Sequence, residues 1–102
     1  MNNIEYIKLF WKHDFPDEPV VILYKVDLKH DRLAIQAIDI YADKKTKNIS
    51  KFYKDVIEIV SIPTIEEFNS NEYGDEFYAC SITEKEFEET WNSRIYKGTI
   101  HY

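Results

Sequence analysis

The chain has 102 residues and carries 13 Lys and Arg against 19 Asp and Glu, a formal net charge of −6. That length suits one domain with one core. Two glycines leave little for a phosphate-cradling loop, a single cysteine forms no internal disulfide, and no apolar run approaches the length of a membrane span.

Residues 4–13 are rich in aromatic and β-branched types and predict a first strand, with Ile7, Leu9 and Trp11 on an apolar face and Tyr6, Lys8, Phe10 and Lys12 on a mixed one. His13-Asp14-Phe15-Pro16-Asp17-Glu18-Pro19 breaks it, because two prolines three apart deny regular structure. Residues 20–28 and 33–42 are β-rich runs joined by the polar link Lys29-His30-Asp31-Arg32, which predicts an antiparallel hairpin. Asp43 to Asn48 reads as a basic turn, and the partial alternation over 49–60 predicts a fourth strand.

The pattern changes at Ile62-Pro63. Thr64-x-x-Glu67 is a capping box, in which the hydroxyl accepts the Glu67 amide and the carboxylate reaches back, so a short helix should run to Asn69. Residues 76–82 predict a short fifth strand after the turn Asn71–Asp75. Thr83-x-x-Glu86 repeats the capping box, and Phe87, Trp91 and Ile95 make a narrow apolar stripe, predicting an amphipathic helix over 84–95. Tyr96–Tyr102 is expected to fray or to add an edge strand. The fold class expected is α+β: an antiparallel sheet of about five strands with a short helix and a C-terminal amphipathic helix packed on one face, one domain over 1–102 with its core at 4–95.

Two features bear on function. The first is charge placement. Residues 1–54 carry 10 basic and 8 acidic side chains, residues 55–90 carry Lys85 against 11 acidic ones, and residues 91–102 carry Arg94 and Lys97 with no acid. Such a field repels nucleic acid and anionic lipid and favours a basic partner. Glu67, Glu84 and Glu86 serve helix starts, whereas Glu72, Asp75, Glu76, Glu88 and Glu89 have no local role and are the candidate partner-binding residues. The second feature is the loop, which sets Trp11, His13, Asp14, Asp17 and Glu18 close together. An imidazole with carboxylates suits a divalent metal or acid–base chemistry. A competing account has the carboxylates capping backbone amides while Phe15 and Trp11 pack into the core. Neighbouring His13 and Asp14 on extended backbone point apart, no pair of histidines stands at ligand spacing, and no catalytic set, metal site or cofactor is expected. Cys80, on a short apolar strand with no histidine beside it, is expected to act as a small hydrophobe.

The residues Trp11-x-His13-Asp14-Phe15-Pro16-Asp17-Glu18-Pro19-Val20, Leu23-Tyr24, Asp27, Arg32, Ile62-Pro63-Thr64-Ile65-Glu66-Glu67-Phe68-Asn69 and Ile82-Thr83-x-x-Glu86-Phe87-x-x-x-Trp91 resemble a family of short bacterial proteins of unknown function. The resemblance spans roughly residues 4–95. It implies a domain with no established activity, of a size typical of immunity proteins that neutralise toxins. Relatives tend to alternate acidic and basic residues along the third strand and to follow it with a glycine turn. Here Ala34, Gln36 and Ala37 replace charged residues, Asp39 keeps one acid, and Asp43–Asn48 replaces the glycine turn, which implies a different specificity. The expected function is a cytoplasmic, non-enzymatic protein-binding module of immunity or antitoxin type with a basic partner such as a toxin. The alternatives are a small-ligand or metal-binding protein or enzyme built on His13, Asp14, Asp17 and Glu18, and a homo-oligomer formed through the sheet.

Overall fold

The first strand, β1 (Ile4–Trp11), sets the architecture because it is apolar on both faces. Alternate residues of a strand point to opposite sides, so each face of β1 seeds its own core. A computed structural model describes residues 3–50 and 61–102. In it β1 lies between β2 (Val21–Asp27) and β5 (Phe77–Ser81), while β3 (Leu33–Ile40) pairs with β2, and β4 (Thr46–Ile49) pairs with β3. All four pairings are antiparallel, in the order β4-β3-β2-β1-β5. No helix among the described residues is long and apolar enough to cross a membrane.

The two helices, α1 (Ile65–Asn69) and α2 (Glu84–Ser93), sit on opposite faces of the sheet and not on one. Phe87 of α2 is fully buried with Tyr6, Phe10, Val21, Leu23, Ile38 and Ile40. Phe68 of α1 joins Ile7, Leu9, Val26, Ile62 and Ala79 on the other side. The physical reason is the two-sided apolar character of β1, where Tyr6 and Phe10 need cover as much as Ile7 and Leu9 do. Truncating a buried ring such as Phe87 typically costs about 3–5 kcal/mol.

The supposed mixed face of β1 is therefore buried too, including Lys8, which is 6% exposed. Its ammonium lies 4.5 Å from the centre of the Phe10 ring and 4.9 Å from that of Tyr96, and donates to Thr99 Oγ1 at 3.2 Å. Aromatic faces and a hydroxyl replace water around a cation that forms no ion pair with a carboxylate among the described residues. This contact holds the segment after α2 across the sheet, so Tyr96–Tyr102 neither frays nor forms a strand. Tyr96 is buried, Ile100 packs on the core, and Tyr102 stacks on Tyr78 at 4.9 Å.

Strand β4 begins inside the stretch expected to be a turn. Lys44 at φ 69° tightens the reversal to Asp43 and Lys45, and the ladder opens at Thr46. The strand expected over 49–60 otherwise lies outside the described residues. The hairpin β2–β3 forms as expected, closing with Asp31 and Arg32 both at φ 56°, and its register shifts after Lys25 so that Ile35 bulges outward.

Both sheet edges are occupied. Thr46 N–H donates to Arg94 O at 3.2 Å and Tyr96 N–H to Lys44 O at 2.8 Å, so the chain after α2 covers the β4 edge. On β5, Lys12 N–H donates to Glu76 O and Ile82 N–H to Tyr6 O, which aims the Ala79 backbone groups outward. The Asn69 carboxamide meets them both: Nδ2 donates to Ala79 O at 2.9 Å and Oδ1 accepts from Ala79 N–H at 2.7 Å. One side chain thus stands in for a neighbouring strand.

Candidate functional site

The β1–β2 loop and the turn before β5 lie at the same end of the sheet, because Trp11 pairs with Phe77 across the ladder. The two sets of residues singled out in the sequence are partly united there. Asp14, Asp17 and Glu18 come from the loop, and Glu72, Asp75 and Glu76 from the turn. Among the described residues none of these six carboxylates makes a hydrogen bond or an ion pair. Lys12 shares this end with them, as do Lys44 and Lys45 of the β3–β4 turn, where Lys45 lines a hollow together with Asp17. Glu88 and Glu89 are elsewhere, on α2, and each has a cation nearby: Glu88 is 3.9 Å from Lys25 and Glu89 3.9 Å from Lys85.

His13 shapes the loop. Its Nδ1 accepts from Phe15 N–H at 2.9 Å, and its Nε2 donates to Pro19 O at 2.7 Å. A ring that accepts at one nitrogen and donates at the other is the neutral Nε2–H tautomer. Both nitrogens are committed to the loop's own backbone, so binding a metal or moving a proton would first break the turn. The carboxylates do not cap the loop; the imidazole does. Among the described residues no three His, Cys, Asp or Glu side chains gather to hold a metal ion.

Phe15 does not enter the core. It is 61% exposed and stacked on His13 at 5.3 Å, and His13 lies 4.2 Å from Trp11, which in turn stacks on Phe77 at 6.1 Å. Phe77 continues to Phe68 and Phe68 to Tyr73, which is half exposed. The acidic end thus carries a row of rings with an exposed member near each limit. The turn that brings Glu72, Asp75 and Glu76 here depends on Asn71 at φ 69° and Gly74 at φ 112°. Only glycine takes the latter angle easily, and a Cβ at Gly74 would run into the Glu76 carboxylate.

The field of these acids is felt in the sheet. Asp39 is held above its ordinary range first by burial, with Lys47 across the ladder opposing and Glu18 adding to the rise. Burial, Asp39 and Glu18 together also raise the Tyr41 phenol. Cys80, half buried on the α2 side, is pushed up by burial against the pull of Lys8, which keeps it a thiol and a packing group.

Three residues with structural work at a distance were not foreseen. Arg32 Nε donates to Ile62 O at 2.9 Å and its terminal nitrogen to Glu5 at 2.7 Å and Pro63 O at 3.2 Å, while Ile62 N–H donates back to Arg32 O. It ties the β2–β3 turn to the start of α1. Asn69 and Lys8 are the others. For Lys8 a signal existed in the aromatic neighbours Tyr6 and Phe10 on its own face; for Arg32 and Asn69 nothing local pointed to a partner.

No curated protein and no solved structure matches the chain. A family model described as a domain of unknown function (DUF6881) matches residues 5–96. That span includes the loop, both helices and, apart from Ile4, the five described strands, and the chain belongs to this family.

Proposed function

We propose that the chain is a non-enzymatic protein-binding module of the bacterial cytoplasm, of immunity or antitoxin type, whose partner is a basic protein such as a nuclease toxin. The observation that supports this is that six unpaired carboxylates from two loops lie at the same end of the sheet as exposed Phe15. A large side chain that loses its water on binding is the usual centre of a binding hot spot, and charge of one sign at the rim speeds capture of an oppositely charged partner. Glu88 and Glu89, with cations of their own, contribute to the long-range field and less to contact. The commitment of both His13 nitrogens weighs against a metal or acid–base role for the loop, and the covered edges of β4 and β5 weigh against assembly through the sheet.

The test is affinity capture from the native host at low salt. A basic protein should be retained and released as salt rises. Joint Asp14→Lys, Asp17→Lys and Asp75→Lys substitution should weaken its binding by at least about tenfold, whereas Glu88→Lys with Glu89→Lys should change it little. A partner held equally by both variants, or indifferent to salt, contradicts the proposal.

A further inference from the structure

Where β1 runs into its loop there is a cavity of about 270 Å³. Phe10 reaches it from the sheet, Trp11 and His13 from the start of the loop, Val20 from its end, and Ile100 and Tyr102 from the segment that Lys8 and Thr99 hold in place. Pockets for drug-sized ligands run from about 300 to 1,000 Å³, and a cavity of about 150 Å³ holds a benzene ring. A space between these limits takes one ring with a short polar group. The walls at Phe10, Trp11, His13 and Tyr102 are themselves rings, which favour tilted or offset contact with another ring.

The charge at the rim has one sign. Exposed Lys12 and His101 border the cavity and no carboxylate lines it, although Asp14, Asp17 and Glu18 follow on the same loop. Lys12 N–H donates to Glu76 O at 2.8 Å, which carries the β1–β5 ladder one residue beyond Trp11 and puts Lys12 on the face of Lys8 and Phe10. Among the described residues neither Lys12 nor Lys8 forms an ion pair. The Lys8 ammonium, 4.5 Å from the centre of the Phe10 ring, adds positive charge beside that wall. His13 lends only its ring, since both its nitrogens are bonded to the loop backbone. The His101 imidazole has an N–H to donate in either charge state.

We infer that this cavity binds a small aromatic monocarboxylate, with its ring among Phe10, Trp11 and Tyr102 and its carboxylate held at the rim by Lys12 and His101. An anion there gains charge-assisted hydrogen bonds, the stronger kind, and supplies the counter-charge that Lys12 lacks. A cation of the same size would meet only like charge. This ligand site is independent of the basic partner proposed above.

The experiment titrates the full chain, isotopically labelled for NMR, with benzoate, benzamide and benzylamine, which share a ring and differ in charge. Benzoate should saturate and shift the amides of Val20, Ile100 and Tyr102, binding about tenfold tighter than benzamide, with benzylamine weakest. Lys12→Gln, at an exposed position, should remove most of the preference for benzoate over benzamide and leave the fold unchanged. Val20→Phe, which fills the space, and Tyr102→Ala, which opens an exposed wall, should each weaken benzoate by at least about tenfold. Should Val20→Phe lose its native spectrum, Tyr102→Ala carries that arm alone. No benzoate saturation by about 10 mM, shifts located elsewhere, benzamide or benzylamine binding as tightly as benzoate, or a Lys12→Gln variant that keeps the full preference would overturn the assignment.

Discussion

His13 spends both ring nitrogens inside its own loop, and this decides what the neighbouring residues are free to do. Because the imidazole holds the turn, the carboxylates of Asp14, Asp17 and Glu18 are left facing solvent. His13→Ala should therefore destabilise the fold by about 1–3 kcal/mol, the usual consequence of leaving part-buried backbone groups unpaired. Asp17→Asn should stay within about 0.5 kcal/mol of the parent. Urea denaturation of the two variants checks this, and a large loss for Asp17→Asn would mean the loop is held by its acids. The buried ring hydroxyls and Lys8 make a second prediction. Burial pushes the Tyr24 and Tyr96 phenols up to about 12, so the folded state keeps protons that the unfolded chain releases near pH 10. Stability from these groups is present below pH 10 and is lost as pH rises toward 12. Burial lowers Lys8, whose cost is present at neutral pH and fades as pH rises toward the ordinary lysine value. The denaturation midpoint should fall between pH 10 and 12, less steeply in Tyr24→Phe and more steeply in Lys8→Met.

At the scale of elements, α1 is short but does two jobs. Its capping box is complete, with Glu67 N–H donating to Thr64 Oγ1 at 3.0 Å and Thr64 N–H to Glu67 Oε1 at 2.9 Å, contacts that also hold the Glu67 carboxyl below its ordinary range. That start directs Phe68 into one core and leaves Asn69, at the last position, against the outer edge of β5. Asn69→Ala should cost about 2 kcal/mol, since two backbone groups of Ala79 lose their partner. It should also produce concentration-dependent self-association by light scattering, because an open edge strand is a template for another chain. A variant that is destabilised yet strictly monomeric would separate the bonds from the edge and remove the guarding role. α2 starts with half of its expected capping box: Glu86 N–H donates to Thr83 Oγ1 at 3.1 Å. It ends at Ser93, two residues before the expected limit, because Arg94 turns to φ 65° and sends the chain back along β4.

At the scale of the whole molecule, local grammar was legible and long-range partnership was not. The alternation in Ile4–Trp11 and Val21–Asp27 and the two Thr-x-x-Glu starts named their elements within a few residues of their ends. β4 was displaced because Thr46-Lys47-Asn48 is polar and lies at an edge, where pairing, not burial, makes the strand. The opposite placement of the helices was written in the two apolar faces of β1 but masked by Lys8, whose aromatic surroundings come partly from Tyr96. The acidic half was visible as a count, whereas its division was not: Glu72, Asp75 and Glu76 share an end of the sheet with the loop acids, and Glu88 and Glu89 on α2 lie beside Lys25 of β2 and Lys85. That regrouping is the basis of the proposed binding surface. Its most direct test maps by amide NMR where the basic peptide Lys-Lys-Tyr-Lys-Lys touches the chain. The account predicts shifts confined to residues 12–20 and 72–77 that vanish at high salt. Shifts centred on α2, or shifts that persist as salt is raised, would contradict it.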